Sequence, residues 1–188
     1  ASVEHIKEMK RSYDKVTAEV TPHHLFFNDE ALLNYNTNLK VAPPIRSDLS
    51  RKALIKAIKE GVIDCIATDH APHSLHEKET TFDCASFGMI GLESCFGIVK
   101  RLLVDEEKLS LISLIKLLTT APRRIMGFNS DLLEVGSEAE LVLFDPREKW
   151  IFKKSNVFSK SLNSPFYEQE LIGKVRYTIS KGKIAEII

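Results

Sequence analysis

The sequence of 188 residues predicts an α/β fold with a small β module at its C-terminal end. Short apolar runs rich in β-branched residues alternate with segments whose apolar residues recur at helical spacing, which is typical of parallel strands connected by helices. Polar side chains follow each of these strands, as expected where a functional site lies at the carboxyl edge of a parallel sheet. From about residue 129 onward, short β runs follow one another with no helix pattern between them. The pattern alone leaves a barrel and a doubly wound sheet open.

The N-terminal part predicts a helix and then a strand that carries histidines. Residues 1–10 place apolar side chains on one face at helical spacing, so they predict an amphipathic helix. The β-branched run 15–20 predicts a strand that ends at Pro22, because proline interrupts a strand ladder. His23 and His24 therefore lie at its C-terminal tip. Because the chain opens directly in a helix pattern without an initiator Met, we expect it to start inside a longer polypeptide.

The next part predicts a helix, a second strand and a second helix. Residues 28–35 begin with Asn and an acidic first turn, as helices commonly do. The apolar run 39–41 predicts a second short strand, which two prolines close. Residues 48–60 carry apolar side chains at helical spacing, and we expect Asp48 to cap this helix and Gly61 to end it.

A third strand is predicted by the near-continuous apolar run 63–68, which is typical of a strand buried on both faces. Asp69, His70 and His73 follow it directly or within one turn. The polar and turn-rich segment 74–86 predicts a mobile loop. All three predicted strands thus lead into polar loops.

The remainder predicts two helices and then the β module. The helices are expected at about 90–104 and 110–127. We place the boundary between the α/β part, residues 1–128, and the β module, residues 129–188, where the helix pattern stops. The β runs in the module are 141–144, 150–152 and 175–179.

Composition and charge exclude several classes of protein. Lys and Arg number 26 and Asp and Glu number 26, so the formal net charge is zero and there is no basic excess that would predict binding to nucleic acid or to an anionic membrane. No apolar run approaches the roughly 20 residues that a membrane span requires. Cys65, Cys84 and Cys95 match neither a disulfide framework nor a zinc site, which favours a reducing compartment. We therefore expect a cytoplasmic protein.

His23, Asp69 and His73 are the candidate residues for chemistry. Imidazole nitrogens and carboxylates are ligands of zinc, and an Asp beside a metal-activated water can support hydrolysis. Each residue also has a structural interpretation, with His23 as a helix cap, Asp69 as an acceptor for loop amides and His73 as a half-exposed loop residue. Their shared position at strand ends favours a metal or catalytic site. The ligand set is nevertheless short, because a catalytic zinc usually has three protein ligands.

Five ordered blocks of sequence carry a family resemblance. They are residues 21–25 (TPHHL), 36–46 (NTNLKVAPPIR), 67–73 (ATDHAPH) followed by Glu77 and Lys78, 87–93 (FGMIGLE) and 136–145 (GSEAELVLFD). Together they resemble the dihydroorotase family of the amidohydrolase superfamily, in its bacterial-type class. The resemblance covers essentially the whole chain and implies the C-terminal part of a (β/α)8 TIM-type barrel with a small C-terminal β module.

The resemblance implies a zinc-dependent enzyme that reversibly hydrolyses dihydroorotate to N-carbamoyl-aspartate in pyrimidine biosynthesis. It implies that His23 is a zinc ligand at the end of the sixth barrel strand, whereas the neighbouring His24 is assigned to packing or capping. Asp69, at the end of the eighth strand, is implied to be a ligand and proton shuttle. His73 is implied to bind the substrate carboxylate, and the backbone of Phe87 and Gly88 to contact the ring. The segment 74–86 would then form a lid over the site.

The sequence also departs from the family pattern. The position before two prolines, commonly a substrate-binding Asn, is Ala42, and Arg46 is better interpreted as a structural ion-pair residue. The family's other metal and carboxylate ligands belong to a first barrel half that this sequence does not contain, and His5, in a helix, does not replace them. We expect the segment to be inactive alone and to need the rest of the barrel, with a homodimer or an aspartate transcarbamoylase complex as further partners.

Three alternatives remain open. Hydantoinases and allantoinases share the superfamily fold and a His at the sixth strand. Some dihydroorotase homologues have lost metal ligands and serve as scaffold subunits of aspartate transcarbamoylase, although a scaffold has no need of His23 and Asp69. The last alternative is a small-molecule binding α/β domain with fortuitous histidines.

Overall fold

A pair of parallel strands and an antiparallel sheet of three strands organise the chain in the computed structural model, which describes residues 2–130 and 133–187. The helices are α1 (Ser2–Ser12), α2 (Pro22–Phe26), α3 (Asp48–Lys59), α4 (Leu75–Lys78), α5 (Leu92–Val99), α6 (Leu111–Leu118) and α7 (Thr120–Ile125). The strands are β1 (Glu19–Val20), β2 (Cys65–Ile66), β3 (Leu141–Ile151), β4 (Glu170–Ser180) and β5 (Lys183–Glu186).

The parallel pair consists of β1 and β2. Glu19 lies opposite Cys65 and Val20 opposite Ile66. Both strands lie inside the predicted runs 15–20 and 63–68, but each forms a ladder of only two residues.

The strand predicted at 39–41 is wrong. Thr37–Leu39 is a 3-10 turn, in which the Asn36 side chain accepts the N–H of Asn38 at 3.0 Å. Leu39 and Val41 are buried by packing rather than by strand pairing, which explains why this run resembles a strand in sequence. In the described part of the chain β1 and β2 are therefore direct neighbours, and the strand expected between them does not form.

Four helix predictions also need correction, and the first two are those at 28–35 and 48–60. The run 28–35 forms only the 3-10 turn Asp29–Leu32. α3 is confirmed, but Ser47 occupies its N-cap position, and the carboxylate of Asp48 instead pairs with Arg51 at 2.7 Å and with Lys52 at 2.7 Å.

The helix predicted at 110–127 is divided into α6 and α7 at Thr119. Pro122 explains the division, because its ring clashes with the carbonyl group four residues earlier in a continuous helix, here that of Leu118.

The helix predicted at about 90–104 starts as α5 and continues as a π-helical turn, Lys100–Glu106. Lys100 is buried and its ammonium group contacts the two carboxylate oxygens of Asp105 at 2.8 and 2.9 Å. The guanidinium group of Arg101 donates to Glu106 at 3.0 Å. Both pairs are five residues apart, the spacing that the wider turn brings together.

The C-terminal sheet has the order β3–β4–β5 and is antiparallel throughout. The predicted runs 141–144 and 150–152 belong largely to one strand, β3, which is irregular around Asp145. Lys181 and Gly182 connect β4 to β5 with φ of 50° and 68°. Two consecutive positive φ values are those of a type I′ hairpin turn, which fits the twist of the strands.

Two apolar cores hold these elements together. The first packs α3, the parallel pair, the π-helical turn and α6 around Leu25, Ile66 and Leu103. The second joins Ile98 and Met89 to Phe152, Phe166 and Leu171 of the C-terminal region. The division at residue 128 stays a prediction, but side chains from both of its sides share the second core. No helix in the described ranges is long and apolar enough to cross a bilayer.

Candidate functional site

Two of the predicted site residues follow the paired strands after the same number of residues in the sequence. Val20 and Ile66 are direct partners in the parallel ladder, and His23 and Asp69 lie three residues beyond them, respectively. Because parallel strands end at the same edge, these equal offsets place both residues at the carboxyl edge of the pair.

His23 is presented by the short helix α2. Pro22 occupies the first turn, and the Thr21 side chain caps the helix by accepting the N–H of His24 at 3.4 Å. The His23 side chain is 1% exposed, and its Nε2 atom has no hydrogen-bond partner among the described residues. Burial, and secondarily the neighbouring His24, lowers the pKa of His23 to about 3. The ring is therefore neutral at physiological pH, which is the form that binds a metal.

His24 has both ring nitrogens engaged. Nδ1 lies 2.7 Å from the hydroxyl oxygen of Thr21, and Nε2 lies 2.9 Å from the carbonyl oxygen of Pro43. These contacts agree with the structural role predicted for this residue and leave His23 as the histidine with a free nitrogen.

Asp69 is exposed and lies in the left-handed region with φ of 49°. Asp tolerates this conformation better than most residues, although it carries a backbone cost. Asp69 thus lies exposed at the strand edge that His23 also follows.

His23 and Asp69 fit a metal site in their chemistry but do not complete one. In residues 2–130 and 133–187 no group of three His, Cys, Asp or Glu side chains converges. A catalytic zinc usually takes three protein ligands. That this chain supplies only part of a ligand set stays a prediction.

His73 connects two loops instead of projecting freely. Its Nε2 lies 2.8 Å from the carbonyl oxygen of Phe87, and its Nδ1 lies 3.5 Å from a carboxylate oxygen of Glu77. Because a carbonyl oxygen can only accept, Nε2 is the donor in the contact with Phe87.

Gly88 lies where the two loops touch. Its φ is 131°, and a Cβ atom added to it would lie 2.5 Å from the Cβ of Ala71. Its N–H donates to the carbonyl oxygen of Lys40 at 2.8 Å. Only glycine fits this approach. Phe87 beside it is 57% exposed, and the ammonium group of Lys40 lies 4.5 Å from the centre of its ring.

Sequence reasoning missed the role of Lys78. Its side chain is 4% exposed and its ammonium group donates to the carbonyl oxygens of Ser86 at 2.7 Å and Gly88 at 2.9 Å. Burial, and then the charge of Lys40, lowers the pKa of Lys78 to about 8. Segment 74–86, which was predicted to be a mobile loop, thus contains the helix α4, and Lys78 at the end of this helix anchors the segment.

The contacts of Asn163 were not predicted from the sequence either. Its side chain bonds to His73, Ala71 and Gly88, which are 75 to 92 residues away in sequence. The only local signal is the turn-forming run Asn163-Ser164-Pro165, which predicts a turn but not its partners.

Ala42 and Arg46 are exposed near the same loops. The methyl group of Ala42 offers no hydrogen bond. The ion pair expected for Arg46 does not form with any residue that the structure describes.

Comparisons with known proteins identify relatives in sequence and in fold. Residues 6–185 match the model of the amidohydrolase family. The chain is similar to a dihydroorotase of Thermoanaerobacter sp. (strain X514), with 43% identity over 183 residues that cover 97% of this chain and 42% of the relative. The chain thus spans less than half the length of such curated relatives.

Solved structures show the same architecture. The fold is similar to that of L-hydantoinase (dihydropyrimidinase) from Arthrobacter aurescens, with a TM-score of 0.89 and 27% identity over 98% of this chain and 42% of that one. It is also similar to the inactive dihydroorotase-like domain of a Chaetomium thermophilum CAD-like multifunctional protein, with a TM-score of 0.69 and 18% identity over 97% of this chain and 47% of that one. These similarities confirm the predicted fold class, the C-terminal part of a TIM-type barrel with a small β module.

Proposed function

Because the chain belongs to the amidohydrolase family, we propose that it is the C-terminal portion of a zinc-dependent dihydroorotase. The reaction is the reversible hydrolysis of dihydroorotate to N-carbamoyl-aspartate in pyrimidine biosynthesis. The observation that carries the proposal is the buried, unpartnered Nε2 of His23 at the same strand edge as the Asp69 carboxylate. The similarity to dihydroorotases supports the choice of substrate.

His23 and Asp69 are the residues that would hold the metal. When bound, zinc would polarise the scissile carbonyl and acidify the attacking water. His23 contributes a neutral imidazole nitrogen, because burial lowers its pKa. Asp69 accepts the proton of the attacking water and returns it to the departing ring nitrogen, a role that its exposed position allows.

His73, Phe87 and Gly88 form the proposed substrate-binding region. His73 binds the substrate carboxylate after its ring exchanges one of its present partners, the Phe87 carbonyl or the Glu77 carboxylate. The backbone of Phe87 and Gly88 contacts the ring of the substrate. Segment 74–86 covers the site as a lid anchored at Lys78.

The remaining parts of the site come from outside this segment. The rest of a barrel supplies the other metal ligands and the groups that bind the second end of the substrate, so the segment is inactive alone. We further propose a cytoplasmic location and assembly as a homodimer or with aspartate transcarbamoylase.

The test uses the full-length protein. We expect it to contain zinc by elemental analysis and to convert dihydroorotate to N-carbamoyl-aspartate and back. The same preparation is assayed with hydantoin and allantoin. Preferential hydrolysis of hydantoin would contradict the assignment to dihydroorotate, and absence of both zinc and turnover would contradict an enzymatic role.

Two alternatives have specific support. The high fold similarity to an L-hydantoinase favours a related cyclic amidohydrolase, which the substrate panel separates. The similarity to a domain described as inactive keeps a non-catalytic scaffold for aspartate transcarbamoylase as the other alternative. The free Nε2 of His23 argues against the scaffold, because a buried nitrogen without a partner has a cost that a scaffold would not need.

A further inference from the structure

Two loops, residues 69–73 and 86–90, are here called the site loops, and the side chain of Asn163, which lies outside them, bonds to both. We propose that Asn163 is a positioning residue that couples the site loops and thereby sets where the substrate-binding backbone lies. This inference rests on the proposed function for its effect on the reaction, although the coupling itself is a property of the fold.

Both polar atoms of the Asn163 side chain take part in this role. Its Oδ1 accepts the N–H of His73 at 3.1 Å, and its Nδ2 donates to the carbonyl oxygens of Ala71 at 2.9 Å and Gly88 at 3.3 Å. The residue is 5% exposed. Because all its partners are backbone groups, a change at Asn163 acts on the path of both loops rather than on another side chain.

The backbone of Asn163 adds a further bond. Its carbonyl oxygen accepts the N–H of Ile90 at 3.0 Å. Just beyond it, Phe166 is 1% exposed in the second core, and its N–H donates to the hydroxyl oxygen of Ser164 at 3.2 Å. Packing and hydrogen bonds thus hold the chain next to Asn163, which a positioning residue requires.

Lys78 contacts only one of the two site loops. It donates to Gly88, as Asn163 does, and to Ser86, but the structure gives it no bond to residues 69–73. Lys78 therefore bonds to one site loop, whereas Asn163 bonds to both and adds to the direct bond between them, in which the N–H of Ala71 donates to the carbonyl oxygen of Met89 at 2.9 Å. Substitution of Lys78 should therefore loosen residues 86–90 and leave residues 69–73 in place.

The variant of the full-length protein that tests these hydrogen bonds most directly is Asn163→Asp. It has nearly the same shape and keeps an acceptor for the His73 N–H, but it replaces a donor with an acceptor that faces the carbonyl oxygens of Ala71 and Gly88. Asn156→Asp is the matched control, because Oδ1 of Asn156 accepts only the local N–H of Lys153 at 2.8 Å. Asn163→Ala is the second variant if the aspartate prevents folding.

We expect Asn163→Asp to lower kcat/KM for dihydroorotate by about 10- to 100-fold, mainly through a higher KM, with the zinc content unchanged. Asn156→Asp should have wild-type constants. A purely structural role would lower the yield and the unfolding temperature with an unchanged KM in the folded fraction. That outcome would overturn the proposal.

Hydrogen exchange gives a readout that does not need turnover. In the Asn163 variants the amides of His73, Gly88 and Ile90 should lose protection together. In Lys78→Met, protection should fall at residues 86–90 while His73 stays protected. If the wild type fails to convert dihydroorotate, the proposed function is contradicted and this exchange pattern alone decides the coupling, since loss confined to one loop would overturn it.

Discussion

The site loops and the C-terminal sheet are held in different ways. In the sheet, β4 pairs with β3 and β5 through a backbone ladder that does not depend on particular side chains. In the second site loop, three consecutive backbone carbonyls accept hydrogen bonds from side chains: Ser86 from Lys78, Phe87 from His73, and Gly88 from Lys78 and Asn163. A single substitution can therefore move the loops, whereas the sheet should tolerate most changes.

The largest effect is expected for a substitution at Asp69, which should change the rate of the reaction but not the stability of the fold. Asp69→Asn in the full-length protein should reduce turnover of dihydroorotate by about 10²- to 10⁴-fold, because the amide cannot accept and return the proton. The unfolding temperature should stay near that of the wild type, since the side chain is exposed. Retained activity with a normal zinc content would contradict the assigned role.

Gly88→Ala tests the close approach of the site loops. The new methyl group would overlap the Cβ of Ala71, and φ of 131° disfavours any side chain, so we expect a loss of stability above about 2 kcal/mol and loss of substrate binding. Gly182→Ala in the sheet is the matched control. It has φ of 68° and no atom within 4 Å of the added Cβ, so only the backbone cost of about 1–2 kcal/mol should appear in chemical denaturation. Equal losses at the two positions would contradict the comparison.

Lys78→Met tests the buried ammonium group through pH. The pKa of Lys78 is about 8 in the folded state against 10.5 as the ordinary value, so the unfolded state binds more protons between these values. The stability of the wild type relative to the variant should therefore rise from about pH 8 to about pH 10.5 and be flat below pH 8. Denaturant titrations at several pH values measure this difference.

Lys56→Met is the control for the pH experiment, because Lys56 is exposed and, in the part of the chain that the structure describes, pairs with Glu60 at 3.6 Å. Its stability relative to the wild type should not change through the same window. If the stability of the wild type rose equally relative to Lys78→Met and relative to Lys56→Met, the effect would not come from the burial of Lys78.

The smallest effect is expected on the outer face of the sheet. Ile184 in β5 is 70% exposed, and Ile184→Thr keeps a β-branched side chain in the strand. Its free energy of unfolding should change by less than about 0.5 kcal/mol, with no change in KM. A loss above about 1 kcal/mol in the full-length protein would show that another segment covers this face.

Local patterns predicted the elements that local forces determine. α3 was predicted within one residue of its end, because helical spacing and a terminal glycine both act within the segment. The run 39–41 was misinterpreted, because burial of Leu39 and Val41 in the second core produces the same apolar pattern as strand pairing. Periodicity cannot distinguish these two causes.

The candidate site was predictable only in part. His23 and Asp69 were predicted because they follow apolar runs, and the equal offsets from the ladder place them at one edge. Lys78 and Asn163 were missed because their roles depend on distant backbone carbonyls, which leave no spacing in the sequence. A buried lysine in a polar segment resembles a solvated one until its acceptors are known.

The π-helical turn after α5 has a consequence for how the length of this helix can vary among homologues. Residues five apart point about 140° away from each other on an α-helix, yet both ion pairs of this turn, Lys100 with Asp105 and Arg101 with Glu106, have that spacing. Removal of one residue from 102–104 would shorten both spacings to four, at which charged partners face each other on an α-helix. The turn can therefore lose one residue and keep both ion pairs, so that an alignment gap at this point would leave the charge pairing intact.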